Sequence, residues 1–259
     1  VEAIAATFTR TANEGRAAFM PFFPMGYPDY EVSLDAITAM AEVGVDAFEI
    51  GVPFSDPLAD GPTIQAASQV ALENGITVQK TLDGVKALRE RGVQQPILMF
   101  SYLNPILAYG EEAFVKAARV AGADGMIIPD LPPEEAHLFT PYCKAEGMAL
   151  IFFLAPTSNS ARIAAAAQNA TGFIYVVSVT GVTGARIDLP PDLKDFIARL
   201  RQETDQPLVL GFGISTPEQA RSMNGLVNGF IVGSALVRQA KAGVDAVRKL
   251  ATDIRTALD

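Results

Sequence analysis

A single cysteine, Cys143, stands in 259 residues. That excludes an internal disulfide and fits a reducing compartment. Histidine is as scarce: His137 is alone, whereas catalytic zinc sites draw on several histidines or cysteines. Charge is sparse, at 19% of residues, and acids outnumber bases, giving a formal net charge of −9 and a pI near 4.7. A field of that sign repels nucleic acid and anionic membranes, so an anionic substrate must be held by local dipoles. No stretch of about 18 apolar residues exists to form a membrane-spanning helix. The first residues, VEAIAATFTRTANEGR, lack the apolar centre of a signal peptide. These absences lead to the expectation of a cytoplasmic protein.

What the chain does have is apolar residues, 49% of the total. They occur in short runs rich in β-branched and aromatic types at 17–23, 47–50, 96–100, 125–128, 149–154, 173–177, 208–211 and 229–232. Short continuous runs bounded by turn residues suit parallel strands buried on both faces. Helical periodicity separates them, at 32–43, 111–121, 134–146, 160–168, 191–204 and 216–223. Two helices, near 63–73 and 77–91, follow the second strand, and a short one at 235–240 follows the last. Eight strands alternating with helices predict a single-domain (β/α)8 TIM barrel over 1–259, with an extra N-terminal helix at 3–14 plugging its bottom. An open doubly wound sheet is the alternative, but the nucleotide-binding fingerprint is missing after the first strand.

Active sites of such barrels sit at the C-terminal ends of the strands. None of the eight strands contains lysine or arginine, which disfavours a Schiff-base aldolase. His137 falls in the fourth helix, away from the loops, and reads as an ordinary helix residue. Carboxylates remain. Period-2 alternation in FEIGVPFSDPLADGP sends Phe48 and Ile50 outward and Glu49 into the barrel mouth. Burial there raises a carboxyl pKa and suits it to acid–base work. Asp60 lies in the loop that follows, where an aspartate is as readily a turn former. Asp130, ending the fourth strand, reads as the cap of the helix starting near Pro133. Glycine turns follow strands seven and eight, at Gly211-Phe212-Gly213 and Gly233-Ser234. Glycine lets backbone N–H groups approach a phosphate, and a helix start adds a favourable dipole. The glycine-bearing polar segment 178–189 has the makings of a lid.

FEIGVPFSDPLADGPTIQ, YLNPILAYG, IIPDLPPEE, SVTGVTGAR and GFGIS together resemble signature segments of the tryptophan synthase alpha chain family, in the family's order and over nearly the whole chain. The resemblance implies retro-aldol cleavage of indole-3-glycerol phosphate to indole and glyceraldehyde 3-phosphate. By resemblance, Glu49 is the principal acid–base group and Asp60 stabilises positive charge at the indole nitrogen. Tyr175 lies beside the substrate, and Thr183 is the lid threonine that helps position Asp60. Gly184, Gly213, Gly233 and Ser234 match the phosphate site; Phe22, Phe100, Ile127, Phe153 and Phe212 match the apolar wall. Phe100 and Phe153 are bulkier than the aliphatic residues expected there, and Pro24-Met25 replaces smaller residues.

The resemblance implies no metal and no cofactor for this chain; pyridoxal phosphate belongs to a beta-subunit partner in an alpha-beta-beta-alpha heterotetramer. Pro53, Asp56 and Pro57 match part of the contact with it. A sugar-phosphate isomerase barrel would share the glycine turns without needing FEIGVPFSDPLADGP. A stand-alone lyase releasing free indole, and a non-catalytic barrel that only activates a beta subunit, remain alternatives on sequence.

Overall fold

The computed structural model describes residues 1–177, 191–211 and 213–259. The expectations for Thr183, Gly184, Phe212 and the 178–189 lid therefore lie outside the described residues. Eight parallel strands close into a barrel in sequence order, β8 pairing with β1. They are β1 (Ala18–Pro24), β2 (Phe48–Gly51), β3 (Ile97–Phe100), β4 (Gly125–Ile127), β5 (Ala149–Leu154), β6 (Ile174–Val177), β7 (Leu208–Gly211) and β8 (Gly229–Val232). All eight runs expected from sequence are strands, and the open-sheet alternative falls with closure of the barrel.

The helices are α1 (Glu2–Asn13), α2 (Tyr30–Val43), α3 (Pro62–Glu73), α4 (Val78–Glu90), α5 (Leu103–Tyr109), α6 (Glu111–Ala121), α7 (Thr140–Ala145), α8 (Ser160–Asn169), α9 (Pro191–Glu203), α10 (Pro217–Arg221), α11 (Ser234–Gln239) and α12 (Val244–Thr256). Their starts have local causes. Asp29, Thr77 and Asn159 accept hydrogen bonds from the backbone N–H groups of Val32, Lys80 and Arg162. Thr216 and Gln219 form a reciprocal capping box on α10. Helix α2 stops at Gly44, whose φ of 88° suits only glycine at little strain.

Three departures from the sequence reading have physical reasons. The helix expected over 134–146 is broken: a 3-10 turn, Pro133–Leu138, precedes α7. Pro141 lacks an N–H and so suits only the first turn of a helix, which makes α7 start afresh at Thr140, while buried Phe139 sits at the break with φ of −120°. Helix α5 is not among the helices expected from sequence; it starts two residues after β3 and carries Pro105. Helix α12, which packs on α2, is also not among the expected helices; a 3-10 turn, Ala240–Ala242, and Gly243, with φ of 107°, separate it from α11.

Ladder register extends the inward set around the barrel. Phe22 pairs with Glu49, Glu49 with Leu98 and Leu98 with Gly125. One strand step higher, Gly51, Phe100, Ile127 and Ile151 follow one another. The floor is made of small residues: a Cβ on Gly229 would meet Ala18 and Phe8 at 3.2–3.3 Å, and one on Gly125 would meet Ala149 at 2.9 Å. Ile4 and Phe8 of α1 fill the space these residues leave, Phe8 edge-on to Phe173 at 5.9 Å. The plug expected from sequence is thus present.

Asp46, just before β2, fastens that end. It accepts hydrogen bonds from Arg16 at 2.6 and 2.8 Å, Arg10 at 2.7 Å and the Phe19 N–H at 2.8 Å. Burial alone would raise its pKa, but the bonds from Arg16 and Phe19 and the charge of Arg16 hold it below the usual carboxylate range. No described helix is long and apolar enough to cross a membrane.

Candidate active site

Strand β2 carries Glu49 into the barrel at the level of Phe22 and Leu98. The side chain is fully buried, and neither carboxylate oxygen has a hydrogen-bond partner among the described residues. Desolvation raises its pKa well above the ordinary value, and the negative charge of Asp60 pushes the same way. No strand offers it a cation, as the sequence already implied. Both causes, burial and the Asp60 charge, favour the protonated form of Glu49.

Asp60 reaches the same space from the loop between β2 and α3. Two tight turns shape the loop, with the Leu58 N–H donating to Asp56 O and the Asp60 N–H to Pro57 O, each at 3.0 Å. Burial lifts the Asp60 carboxyl to about 6, against the lowering effect of a hydrogen bond donated by Tyr102 at 3.1 Å. The two environments push the groups apart, Glu49 strongly toward its protonated form and Asp60 only to about 6, so Asp60 is the more readily ionised of the pair. The turn-former reading of Asp60 gives way to a carboxylate aimed at the barrel mouth, near enough to influence both Glu49 and Tyr175.

Aromatic rings line the mouth. Phe22 meets Phe100 edge-on at 5.2 Å, Phe100 meets Phe153 at 6.4 Å, and Phe153 stacks on Tyr175 at 4.3 Å. The bulk of Phe100 and Phe153 thus goes into a continuous aromatic wall. Ile127, fully buried, lies beside Phe100 on β4. Gly211 is where that wall needs room: a Cβ there would sit 2.0 Å from the Tyr175 ring. Met25 is accommodated by Gly84 of α4, where any Cβ would lie 2.6 Å from its methyl.

Gly213 follows β7 with φ of 32°, and Gly233 and Ser234 follow β8 at the start of α11. Strands β7 and β8 are paired neighbours, so the two glycine turns emerge side by side. Of the residues expected to face a partner, Asp56 is exposed, while Pro53 and Pro57 are buried within the chain. Leu58 between them is 93% exposed. His137 is exposed on the 3-10 turn, 3.8 Å from Glu135.

Two residues depart from the sequence reading. Asp130 does not cap the helix after it: that helix has no side-chain cap, and Asp130 accepts instead from the Leu103 N–H at 2.8 Å, at the start of α5. Tyr102 was not singled out, although it stands in the YLNPILAYG segment; its ring is buried and its hydroxyl meets Asp60.

A closed parallel barrel with one fully buried carboxyl, one ionisable carboxylate and an aromatic wall at its strand ends defines an acid–base enzyme of the TIM-barrel class. Comparison with known proteins narrows the class. The model of the family described as tryptophan synthase alpha chain matches residues 8–258. The tryptophan synthase alpha chain of Roseiflexus sp. (strain RS-1) is 49% identical over 256 residues, covering 95% of this chain and 98% of its own. That of Chloroflexus aggregans is 48% identical over 234 residues, covering 90% and 88%. Among solved structures, tryptophan synthase of Mycobacterium tuberculosis superposes with a TM-score of 0.93 at 36% identity, over 98% of this chain and 97% of that one. The alpha subunit from Legionella pneumophila gives 0.92 at 32%, over 99% and 98%.

The chain belongs to the tryptophan synthase alpha chain family. It is a carbon–carbon lyase of tryptophan biosynthesis, cleaving indole-3-glycerol phosphate to indole and glyceraldehyde 3-phosphate, and its partner is a beta subunit.

Proposed function

We propose that Glu49 and Asp60 carry out this cleavage in a single barrel domain. The observation that carries the reading is the buried carboxyl of Glu49, which has no hydrogen-bond partner among the described residues. As the acid, Glu49 gives its proton to C3 of the indole ring. Positive charge then develops at the ring nitrogen, where the ionised Asp60 stabilises it. Glu49, now a carboxylate, takes the proton of the glycerol hydroxyl adjoining the ring. The carbon–carbon bond breaks, its electrons return to the indole, and the hydroxyl becomes the aldehyde of glyceraldehyde 3-phosphate. Glu49 ends protonated, so the cycle balances. The aromatic wall of Phe22, Phe100, Phe153 and Tyr175 offers flat apolar surface to the indole. The paired glycine turns at Gly213 and Gly233, with Ser234, offer backbone N–H groups to the phosphate.

The steps on this chain call for proton transfer and charge stabilisation alone; pyridoxal phosphate is assigned to the beta subunit. Exposed Asp56 and Leu58 provide a contact for that subunit in a cytoplasmic alpha-beta-beta-alpha assembly. Glu49→Gln preserves shape but cannot cycle a proton. Turnover falls by at least about 100-fold, while affinity for a substrate analogue is kept. Near-normal release of indole by that variant overturns the assignment.

A further inference from the structure

The loop that delivers Asp60 is tied to the barrel by one side chain from another strand. Tyr102 follows β3 and occupies the position just before α5, with φ of −70° and ψ of 160°. Its hydroxyl accepts a hydrogen bond from the Ala59 N–H at 2.9 Å and donates one to Asp60 Oδ2 at 3.1 Å. Its ring lies 5.4 Å from that of Phe54, in the same loop, and 6.3 Å from Phe100 in the wall. Tyr102 therefore touches the loop at Phe54, Ala59 and Asp60. The tyrosine is itself fixed: it is 3% exposed, and the N–H of the next residue, Leu103, is held by Asp130.

We propose that Tyr102 is the positioning residue of the reaction: its hydroxyl clamps Oδ2 of Asp60 and leaves Oδ1 for the substrate. The proposal rests on Asp60 acting in the cleavage. Oδ1 accepts no hydrogen bond from any described residue, so the clamp fixes the carboxylate plane and leaves one oxygen available. A phenol suits the task because it bonds in both directions, accepting from the backbone and donating to the carboxylate. Burial, then the charge of Asp60, raises the Tyr102 pKa, so the hydroxyl stays a donor at every working pH. Held in this way, Asp60 needs little reorganisation when charge develops opposite it.

Among the described residues, the ionisable groups facing Asp60 are Glu49 from β2, Tyr102 from the end of β3 and Tyr175 from β6, with Asp130 behind Tyr102. Among them only the Tyr102 hydroxyl favours the ionised form of Asp60. Loss of that bond therefore raises the Asp60 pKa, and the pH below which turnover fails rises with it.

The test measures glyceraldehyde 3-phosphate release by the full chain with its beta subunit, over pH 5–8, for wild type, Tyr102→Phe, Asp60→Asn and the double variant. Tyr102→Phe keeps the ring. It is expected to lower kcat by about tenfold, with KM within about twofold, and to move the acid limb of kcat upward from about 6. In the Asp60→Asn background the same change has little further effect, because the hydroxyl acts through the carboxylate. Site-specific 3-fluorotyrosine at position 102, a stronger donor of nearly the same shape, moves the limb the other way. An acid limb that stays in place in both Tyr102 variants overturns the proposal, as does an equal loss of kcat with and without the Asp60 carboxylate. Full activity in Asp60→Asn overturns instead the assignment of Asp60, and the clamp with it.

Discussion

Glu49 is fully buried with no hydrogen-bond partner among the described residues, and a buried carboxyl of that kind works against the fold whenever it must ionise. Its folded pKa lies well above the ordinary value. Its contribution is thus fully present below the unfolded pKa and is lost as pH rises toward the folded one. Glu49→Gln removes that loss. The variant is expected to melt about 2–4 °C above wild type at pH 7, the scale of roughly 1 kcal/mol for a chain of this size, and at nearly the same temperature at pH 4. Thermal melts at the two pH values check this; equal melting temperatures at pH 7 contradict it. Asp46 has the opposite sign. Its folded pKa is lowered, so its contribution is present above the unfolded value and disappears as pH falls. Glu49 was legible in the sequence because period-2 alternation aims it inward and no strand supplies a cation. Tyr102 was not: nothing in a lone tyrosine at a strand end signals that its hydroxyl bridges back across 42 residues to Asp60.

At the scale of elements, strands were legible and some of their connections were not. Each strand announced itself as a short apolar run with turn residues at both ends, and the barrel has all eight. Helix α5 carried no such signal. It is 7 residues long and has no hydrogen-bonding side chain of its own at its start. Its cap comes from Asp130, at the end of the neighbouring strand β4. Asp130 was readable as a capping residue, but which helix it caps depends on the lateral order of strands, and that is information of the closed sheet. Asp130→Ala leaves the Leu103 N–H without its acceptor and is expected to destabilise the protein by about 1 kcal/mol. Because Tyr102 precedes Leu103, the same change should lower kcat without altering the wall. Urea unfolding together with steady-state kinetics separates the two effects; no change in either means that Asp130 is dispensable to α5.

Across the whole molecule, the two ends of the barrel divide the work. The floor is closed by Ile4 and Phe8 and locked by Asp46 with Arg10 and Arg16. The mouth is left with groups that satisfy one another poorly. Composition pointed to this layout in outline, since a chain so rich in apolar residues and so poor in charge has most of its surface inside. The formal charge of −9 counts every carboxylate as ionised. A folded chain that keeps the proton of Glu49 is less negative by one, and the difference goes into solution when the barrel opens. Unfolding at neutral pH is therefore expected to release hydrogen ions, and the solvent's own chemistry then enters the heat that a calorimeter records. Tris gives out much more heat than phosphate on taking up a proton, so the apparent enthalpy of unfolding should be smaller in Tris than in phosphate at the same pH. Glu49→Gln should shrink that gap by the contribution of one proton. A gap unchanged by the substitution would mean that Glu49 is already ionised in the folded barrel.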